Sequence, residues 1–280
     1  MRRRTLLFLL WLLAACTSEV SPDYPDPGRF VVEGWIDSGE APVVMLTKVY
    51  TAQFQYEAVD NLRSHLIAGA EVLVEDDLGN EVRLDFRHDQ HHFPPYIYTT
   101  DRMRGVPGRR YRLKVRYQNR FASGETRIPQ PVALEGIDVR PLGDSDTLRG
   151  IWAHFPQPPD EDTFYRFFVR VEGRDSTFLP ALVSGVERDG ITTTLPVMQG
   201  RSLFNTTPGQ PLWFVKGDIV QLKFCTLDRK AWEFWSSYDE VNSLGRNPFF
   251  PVSWNIPSQL EGAYGYWAGY GTTRYTVQVE

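Results

Sequence analysis

Cysteine is almost absent from this 280-residue chain, which contains only Cys16 and Cys225. Cys16 lies near the N-terminus, directly after a short apolar run, and outside the part that is predicted to fold. The folded part therefore has a single cysteine and cannot form an internal disulfide. Cys225 ends the apolar run 219–225, where a buried and unreactive thiol is the expected state. The fold is therefore predicted to depend on its core rather than on covalent cross-links.

Recognisable catalytic and cofactor-binding motifs are also missing. The chain contains no phosphate-binding glycine loop, no G-x-S-x-G elbow, no H-E-x-x-H and no paired-cysteine metal knuckle. We therefore expect a protein that is not an enzyme, has no catalytic residues and needs no cofactor. A hydrolase is kept as an alternative, because serines, histidines and acids that are distant in sequence can meet in a fold.

The chain has fewer basic than acidic residues. The chain has 30 Lys and Arg residues against 35 Asp and Glu, a formal net charge of −5 at pH 7. Without the three arginines at residues 2–4 the balance is 27 against 35, or −8. This balance argues against a nucleic-acid partner, which requires a basic face. It also argues against adsorption on anionic lipid through charge.

Clusters of metal-binding side chains are limited to His88, His91 and His92. On an extended strand His88 and His92 would point to one side and His91 to the other, so three ligands would require a loop. A zinc site also needs a further ligand and an ordered second shell. We expect an exposed polar loop, and these three histidines are only weak candidates for metal binding.

Long apolar runs are absent except at residues 6–15, which read LLFLLWLLAA. This run is too short for a transmembrane helix, which needs about 20 residues. A basic head, a short apolar stretch and small residues before a cleavage point are typical of a secretory signal peptide. The sequence Leu13-Ala14-Ala15-Cys16 resembles the bacterial lipobox, in which the cysteine thiol receives a diacylglycerol and a peptidase cuts before it.

The lipobox predicts residues 1–15 as a signal peptide and Cys16 as a lipidated N-terminus. Each buried methylene contributes about 0.8 kcal/mol to membrane binding, and two or more chains anchor a protein stably. Residues 16–28 are rich in Pro, Ser and acidic residues, which indicates an extended tether. Thr17, in place of an aspartate, favours the outer membrane by analogy with enterobacterial sorting. It does not indicate whether the protein lies on the periplasmic face or on the cell surface.

Alternation of apolar and polar residues is the dominant pattern of the remaining chain, most clearly at 82–86, 111–117 and 165–171. This period is typical of half-buried antiparallel strands with one wet face. The fold class is therefore predicted as mainly β, with two sandwich modules of immunoglobulin or transthyretin type. The modules are expected at 29–128 and 132–280, with the boundary at Pro129-Gln130-Pro131.

One helix is expected within the second module, at about 229–243. Asp228 is its predicted N-cap, and apolar residues follow at helical spacing. We expect this stripe to pack in the core rather than to bind a ligand; it consists of Ala231, Phe234, Trp235, Tyr238 and Val241.

Aromatic residues are abundant, and glycines alternate with them in residues 261–271. One interpretation is a tight closing strand against the core, which we favour. The other is an exposed surface that binds a sugar or a partner protein. Its candidate residues are Trp254, Tyr264, Tyr266, Trp267 and Tyr270.

An ordered set of loose motifs extends along nearly the whole mature chain. It consists of the lipobox cysteine, VVEGWI at 31–36, PVVMLT at 42–47, AEVLV at 70–74, Gly108 with YRL at 111–113, KGD at 216–218, NPF at 247–249, Asn255-Ile256 and GAYGY at 262–266. This set resembles the Bacteroidetes lipoprotein family catalogued as domain of unknown function 4249 (DUF4249).

The resemblance implies an outer-membrane lipoprotein encoded beside TonB-dependent receptors and accessory to nutrient import. It supplies no catalytic residues. Residues 184–190 depart from the family in being less acidic, which weakens any cation site there. The composition keeps a surface glycan-binding lipoprotein open as an alternative, because the eight tryptophans include Trp213, Trp232 and Trp235.

Overall fold

The structure is a computed structural model that describes residues 28–49, 62–157, 163–186, 192–200, 212–244 and 256–280. The signal peptide, Cys16, most of the tether and Trp254 lie outside these residues.

Sixteen strands and two helices make up the described part of the chain. The helices are α1 (Leu62–His65) and α2 (Arg229–Leu244). The strands are β1 (Phe30–Asp37), β2 (Val43–Lys48), β3 (Glu71–Asp76), β4 (Glu81–Arg83), β5 (Asp85–His88), β6 (Tyr96–Thr99), β7 (Arg110–Tyr117), β8 (Arg120–Arg127), β9 (Gly136–Pro141), β10 (Leu148–Phe155), β11 (Thr163–Val171), β12 (Leu179–Val186), β13 (Thr193–Val197), β14 (Phe214–Val215), β15 (Ile219–Leu227) and β16 (Tyr264–Gln278).

An eight-stranded sheet forms the centre of the fold, with the order β12-β11-β15-β16-β1-β2-β6-β5. β16 lies between β1 and β15: it pairs in parallel with β1, from Val31 opposite Tyr264, and antiparallel with β15. This sheet therefore joins strands from both sides of the predicted boundary at 129–131.

Two smaller sheets pack side by side on one face of the large sheet. The sheet β4-β3-β7-β8 covers the half that contains β1 and β2, around a core that includes Phe30, Leu113 and Trp267. The sheet of β9, β10, β13 and β14 covers the half that contains β11 and β15, around a core that includes Phe155 and Phe224. The predicted class, mainly β with sandwich packing, is confirmed. The division into two independent domains stays a prediction.

Helix α2 packs on the opposite face of the large sheet. The Asp228 carboxylate accepts a hydrogen bond from the backbone N–H of Ala231 (2.8 Å), as an N-cap does. Ala231, Phe234 and Trp235 are buried against the sheet, and Tyr238 is half-buried. The predicted helix is present, and its stripe packs on the sheet as far as Tyr238; the side chain of Val241 lies outside the described part. No helix among the described residues is long and apolar enough to cross a bilayer.

Two of the strands predicted from alternation behave differently from the simple pattern. The run 82–86 is not one strand, because the chain leaves the β3 sheet at Leu84 and joins β6 in the large sheet as β5. Such a change of sheet at a corner is a known route between packed sheets. In β11 the polar face is not wet: Arg166 is 1% exposed because α2 covers it.

Candidate functional site

The C-terminal aromatics lie on β16, and most of them are interior. Tyr266, Trp267 and Tyr270 are 7%, 2% and 1% exposed, whereas Tyr264 is partly exposed. The Trp267 indole N–H donates to the backbone carbonyl of Tyr111 (3.0 Å). Burial raises the pKa of Tyr266 and Tyr270 well above its usual value. These three rings are core residues and present no face to a ligand, which corrects the alternative of an exposed surface for them.

Glycines of β16 allow other backbone segments to approach closely. Gly265 has φ +105°, and a Cβ atom there would lie 2.0 Å from the Val32 carbonyl oxygen. Gly269 and Gly271 lie under the segment that links the two smaller sheets, and their added Cβ atoms would lie 2.7 Å and 2.5 Å from carbonyl oxygens of that segment. The alternation of glycine with aromatic residues is therefore explained by packing of a closing strand.

An ion pair with both side chains buried joins β1 to β15. The Lys223 ammonium group donates to the Asp37 carboxylate at 2.6 Å, with side chains only 7% and 2% exposed. Thr272 also donates to Asp37 (3.1 Å). The Lys223 nitrogen lies 5.0 to 6.0 Å from the ring centroids of Phe168, Tyr270 and Trp35. The ring faces and the carboxylate together replace the water lost on burial.

A second charged contact ties helix α2 to the sheet beneath it. Arg166 of β11 donates two hydrogen bonds of 3.0 Å to Asp239, one to each carboxylate oxygen. Its guanidinium also lies 4.2 Å from the Trp235 ring centroid. Such a bidentate and stacked arrangement suits arginine and not lysine. This contact joins α2 to β11, and the Asp37–Lys223 pair joins β1 to β15, so we assign both to holding elements together.

His88 is the last residue of β5, and His91 and His92 lie in the loop that follows it at the edge of the same sheet. His92 packs on Trp35 with ring centroids 5.8 Å apart, whereas His88 and His91 are exposed. Burial lowers the pKa of His92, and Asp89 offsets this only in part. No metal-binding group of three side chains occurs among the described residues.

A shallow cleft of about 340 Å³ lies between this loop and the turn that follows β11. It is lined by Gln90, His91, Arg170, Glu172, Gly173, Asp175 and Ser176. The Asp175 carboxylate accepts from the backbone N–H of Val171 (2.8 Å), and the Glu172 carboxylate accepts from Gln221 (2.7 Å). Both carboxylates therefore serve the local structure, although a histidine lies in the same cleft. The arrangement suits weak contact with a small polar ligand.

A chain of polar side chains crosses the outer face of β9, β10 and β13. Thr194 lies 2.8 Å from Nδ1 of His154, and Nε2 of His154 lies 3.1 Å from Asp138, which Arg140 also contacts. Hydrogen bonds from Arg140 and His154 hold the pKa of Asp138 below its usual value. The order of groups is that of a catalytic triad, but Asp138 is 45% exposed and is also held by Arg140, and we assign these side chains to cross-strand pairing.

The indole of Trp152 lies in a stack on the same outer face. The Arg140 guanidinium lies 5.3 Å from its ring centroid, and Trp213 stacks at 6.1 Å. Trp232 stacks in a similar way on Phe164 at 4.8 Å. The faces of these half-buried rings pack against neighbouring side chains of the same chain, so they do not form the exposed coplanar pair that stacking on a sugar requires.

Comparison with known proteins identifies the family. The family model described as "Domain of unknown function (DUF4249)" matches residues 17–276. The chain belongs to the DUF4249 family. The match begins immediately after Cys16 and includes every strand except the last residues of β16. For this DUF4249 protein, no curated protein matches.

One solved structure with a detectable similarity is the crystal structure of pullulanase complexed with maltotriose from Anoxybacillus sp. LM18-11. The sequences are 13% identical, the TM-score is 0.22, and the alignment covers 70% of this DUF4249 chain. It covers 24% of the pullulanase chain, so the two proteins share only a limited span. A similarity of this level carries no argument about the function of the DUF4249 protein.

Proposed function

We propose that this protein is a lipid-anchored cell-envelope protein of the outer membrane. It acts as a non-catalytic binding or accessory module that works with a TonB-dependent receptor in nutrient uptake. The observation that carries the proposal is the sequence Leu13-Ala14-Ala15-Cys16 after a basic head and a short apolar run. Acylation of that cysteine places the protein on a membrane.

Two further observations support the anchor. The family match starts at residue 17, so the shared sequence begins where the processed chain would begin. The first strand starts at Phe30, which leaves the Pro-rich segment between Cys16 and Phe30 as a spacer between lipid and fold. The accessory role with a receptor rests on the family resemblance. The proposal of a non-catalytic module is supported by the cleft and by the polar chain on β10, neither of which offers an organised catalytic group.

The anchor is tested by replacing its thiol. In cells that process bacterial lipoproteins, Cys16→Ser is expected to abolish incorporation of labelled fatty acid and to release the protein from membranes. The control is Cys225→Ser, which removes the other thiol, a buried group whose pKa burial raises to about 12. This control should keep full labelling. Membrane retention of Cys16→Ser without label would contradict the proposal.

The accessory role is tested by affinity purification of the lipidated protein from outer membranes, followed by mass spectrometry. A TonB-dependent receptor should be recovered with the lipidated protein, and recovery should fall in the Cys16→Ser variant. Repeated purifications that contain no such receptor would count against this part of the proposal while leaving the anchor intact.

Two other functions from the sequence, a glycan-binding surface and a hydrolase, are not favoured by any observation among the described residues. Trp235 and Trp267 are buried. The cleft that contains His91 also contains the carboxylates of Glu172 and Asp175, which a hydrolase could use, but both accept hydrogen bonds from the surrounding structure, from Gln221 and Val171.

A further inference from the structure

Positive charge is concentrated in one part of this acidic chain. Residues 102–127 contain nine Arg or Lys residues and a single carboxylate, Glu125, whereas the whole chain has a net charge of −5. This segment forms the β7–β8 hairpin and the loop before it. The expectation that the protein would not be attracted to anionic lipid considered only net charge, and the distribution of charge is strongly uneven. The nine residues are Arg102, Arg104, Arg109, Arg110, Arg112, Lys114, Arg116, Arg120 and Arg127.

Carboxylates of neighbouring strands balance the middle of β7. Lys114 contacts Glu75 at 2.7 Å, and Arg112 contacts Glu125 at 3.1 Å. Such exposed pairs lie on a solvated sheet surface and leave little net charge there.

The turn end of the hairpin is different. Arg116 contacts Glu71 as Arg112 contacts Glu125, so the excess positive charge of this end comes from the basic side chains around that pair. Arg120 is exposed and makes no ion pair within the described ranges. Next to it, the apolar ring of Phe121 is 58% exposed. A bulky apolar ring between basic side chains is a composition typical of surfaces that contact the interface of a bilayer.

The chain enters the fold at the same end. Phe30, the first residue of β1, packs on Tyr117 at the end of β7, with ring centroids 6.5 Å apart. Arg29 lies over the ring of Tyr264 at 5.2 Å. The exposed Lys48 pairs with Phe30 in the sheet. We define the hairpin end as the surface formed by Arg29, Lys48, Arg116, Arg120 and Phe121.

We propose that the hairpin end docks on an anionic phospholipid surface. This inference rests on the proposed lipid anchor, because the tether begins at Cys16 and reaches the fold at this end. At the rise of a Pro-rich linker, about 3.1 Å per residue, residues 17–29 would span roughly 40 Å. The anchor therefore holds the basic side chains close to the lipid headgroups, where even a weak attraction is effective. Docking would fix the orientation of the fold on the membrane.

The docking is tested without the acyl groups. The full mature chain with Cys16→Ser is mixed with vesicles of phosphatidylcholine alone, or of phosphatidylcholine with phosphatidylglycerol, and the bound fraction is measured by flotation. Binding is expected only to the anionic vesicles and should weaken as salt is added. Arg116→Glu with Arg120→Glu should lower the affinity more than about tenfold, since each basic side chain near such a surface contributes about a fivefold gain.

The matched control is Arg110→Glu with Arg112→Glu, which changes the net charge equally at the other end of β7 and should alter binding little. Phe121→Ser, an exposed substitution that keeps the charge, should also weaken binding while the circular dichroism spectrum is unchanged. Equal binding to both kinds of vesicle, or equal loss in the two charge variants, would overturn the docking. Protection of the hairpin end from hydrogen exchange by a receptor but not by lipid would overturn it in favour of a protein partner.

This outcome is independent of the anchor, because the vesicle experiment uses a chain that carries no lipid. Failure of fatty-acid labelling at Cys16 would contradict the proposed function, whereas failure of vesicle binding with normal labelling would contradict only the docking.

Discussion

Asp37 and Lys223 carry opposite charges in the interior, on strands β1 and β15. Each side chain compensates the other, and Thr272 supplies a further hydrogen bond to the carboxylate. Nothing in the local sequence predicts this pair: alternation in 219–225 shows that Lys223 faces away from one core, but not that a helix and aromatic rings enclose the other face. The pair can be recognised only from the order of the strands in the central sheet.

Removal of one partner of this pair should be strongly destabilising. Asp37→Ala is expected to cost about 3–5 kcal/mol, because it leaves the Lys223 ammonium group buried without its carboxylate partner. Lys223→Ala should cost less, because Arg274 still lies 3.7 Å from the Asp37 carboxylate. The double variant Asp37→Ala/Lys223→Ala should cost less than the sum of the two single changes, because neither charge is then left buried without the other. Urea unfolding of the four proteins measures these values and the coupling between the two sites. Additive single effects would show that the pair does not interact in the folded state.

β16 is the element that closes the fold, and its glycines determine where it can lie. Its sequence predicted a tight strand as the favoured interpretation, and the burial of its aromatics agrees with that role. The parallel pairing with β1 could not be predicted, because periodicity reports which face of a strand is buried and not which strand lies beside it. The same limit explains why 82–86 was expected as one strand: the pattern does not record a change of sheet at Leu84.

Substitution of Gly265 should disturb this closure more than substitution of a turn glycine. Gly265→Ala adds a Cβ atom 2.0 Å from the Val32 carbonyl oxygen at φ +105°. Gly79→Ala is the matched control, since Gly79 has φ +84° but no atom within 4 Å of the added Cβ. We expect a cost of about 1–2 kcal/mol for the control, from backbone strain alone, and a larger loss for Gly265→Ala. Similar denaturant midpoints for the two variants would contradict the close approach.

At the scale of the whole molecule, the central sheet shares its strands between the two expected modules. Trp267 of β16 belongs to the same core as Phe30 and Leu113 of the first module. The composition and alternation were enough to predict a mainly β chain with sandwich packing. The candidate cleft was not predictable, because His91 and Arg170 are brought together only by the packing of a loop against a distant strand.

This sharing of strands makes a prediction for fragments. A chain of residues 29–131 should not fold cooperatively, because it lacks β16 and the Trp267 ring. The same fragment with residues 256–278 attached through a flexible Gly/Ser linker should regain a cooperative thermal transition and dispersed amide signals in NMR spectra. A cooperative transition of 29–131 alone would instead support the boundary expected from sequence at 129–131.

The parallel pairing of the first strand with the last has a consequence for the order in which the protein is made. A ribosome delivers Val31 more than 200 residues before Tyr264, so β1 must wait without this neighbour while the intervening chain is made. Pairing of such distant segments slows folding. In the export that the proposed lipid anchor would require, the chain would thus stay open enough to pass through a narrow translocation channel, and the centre of its sheet would assemble only on the far side.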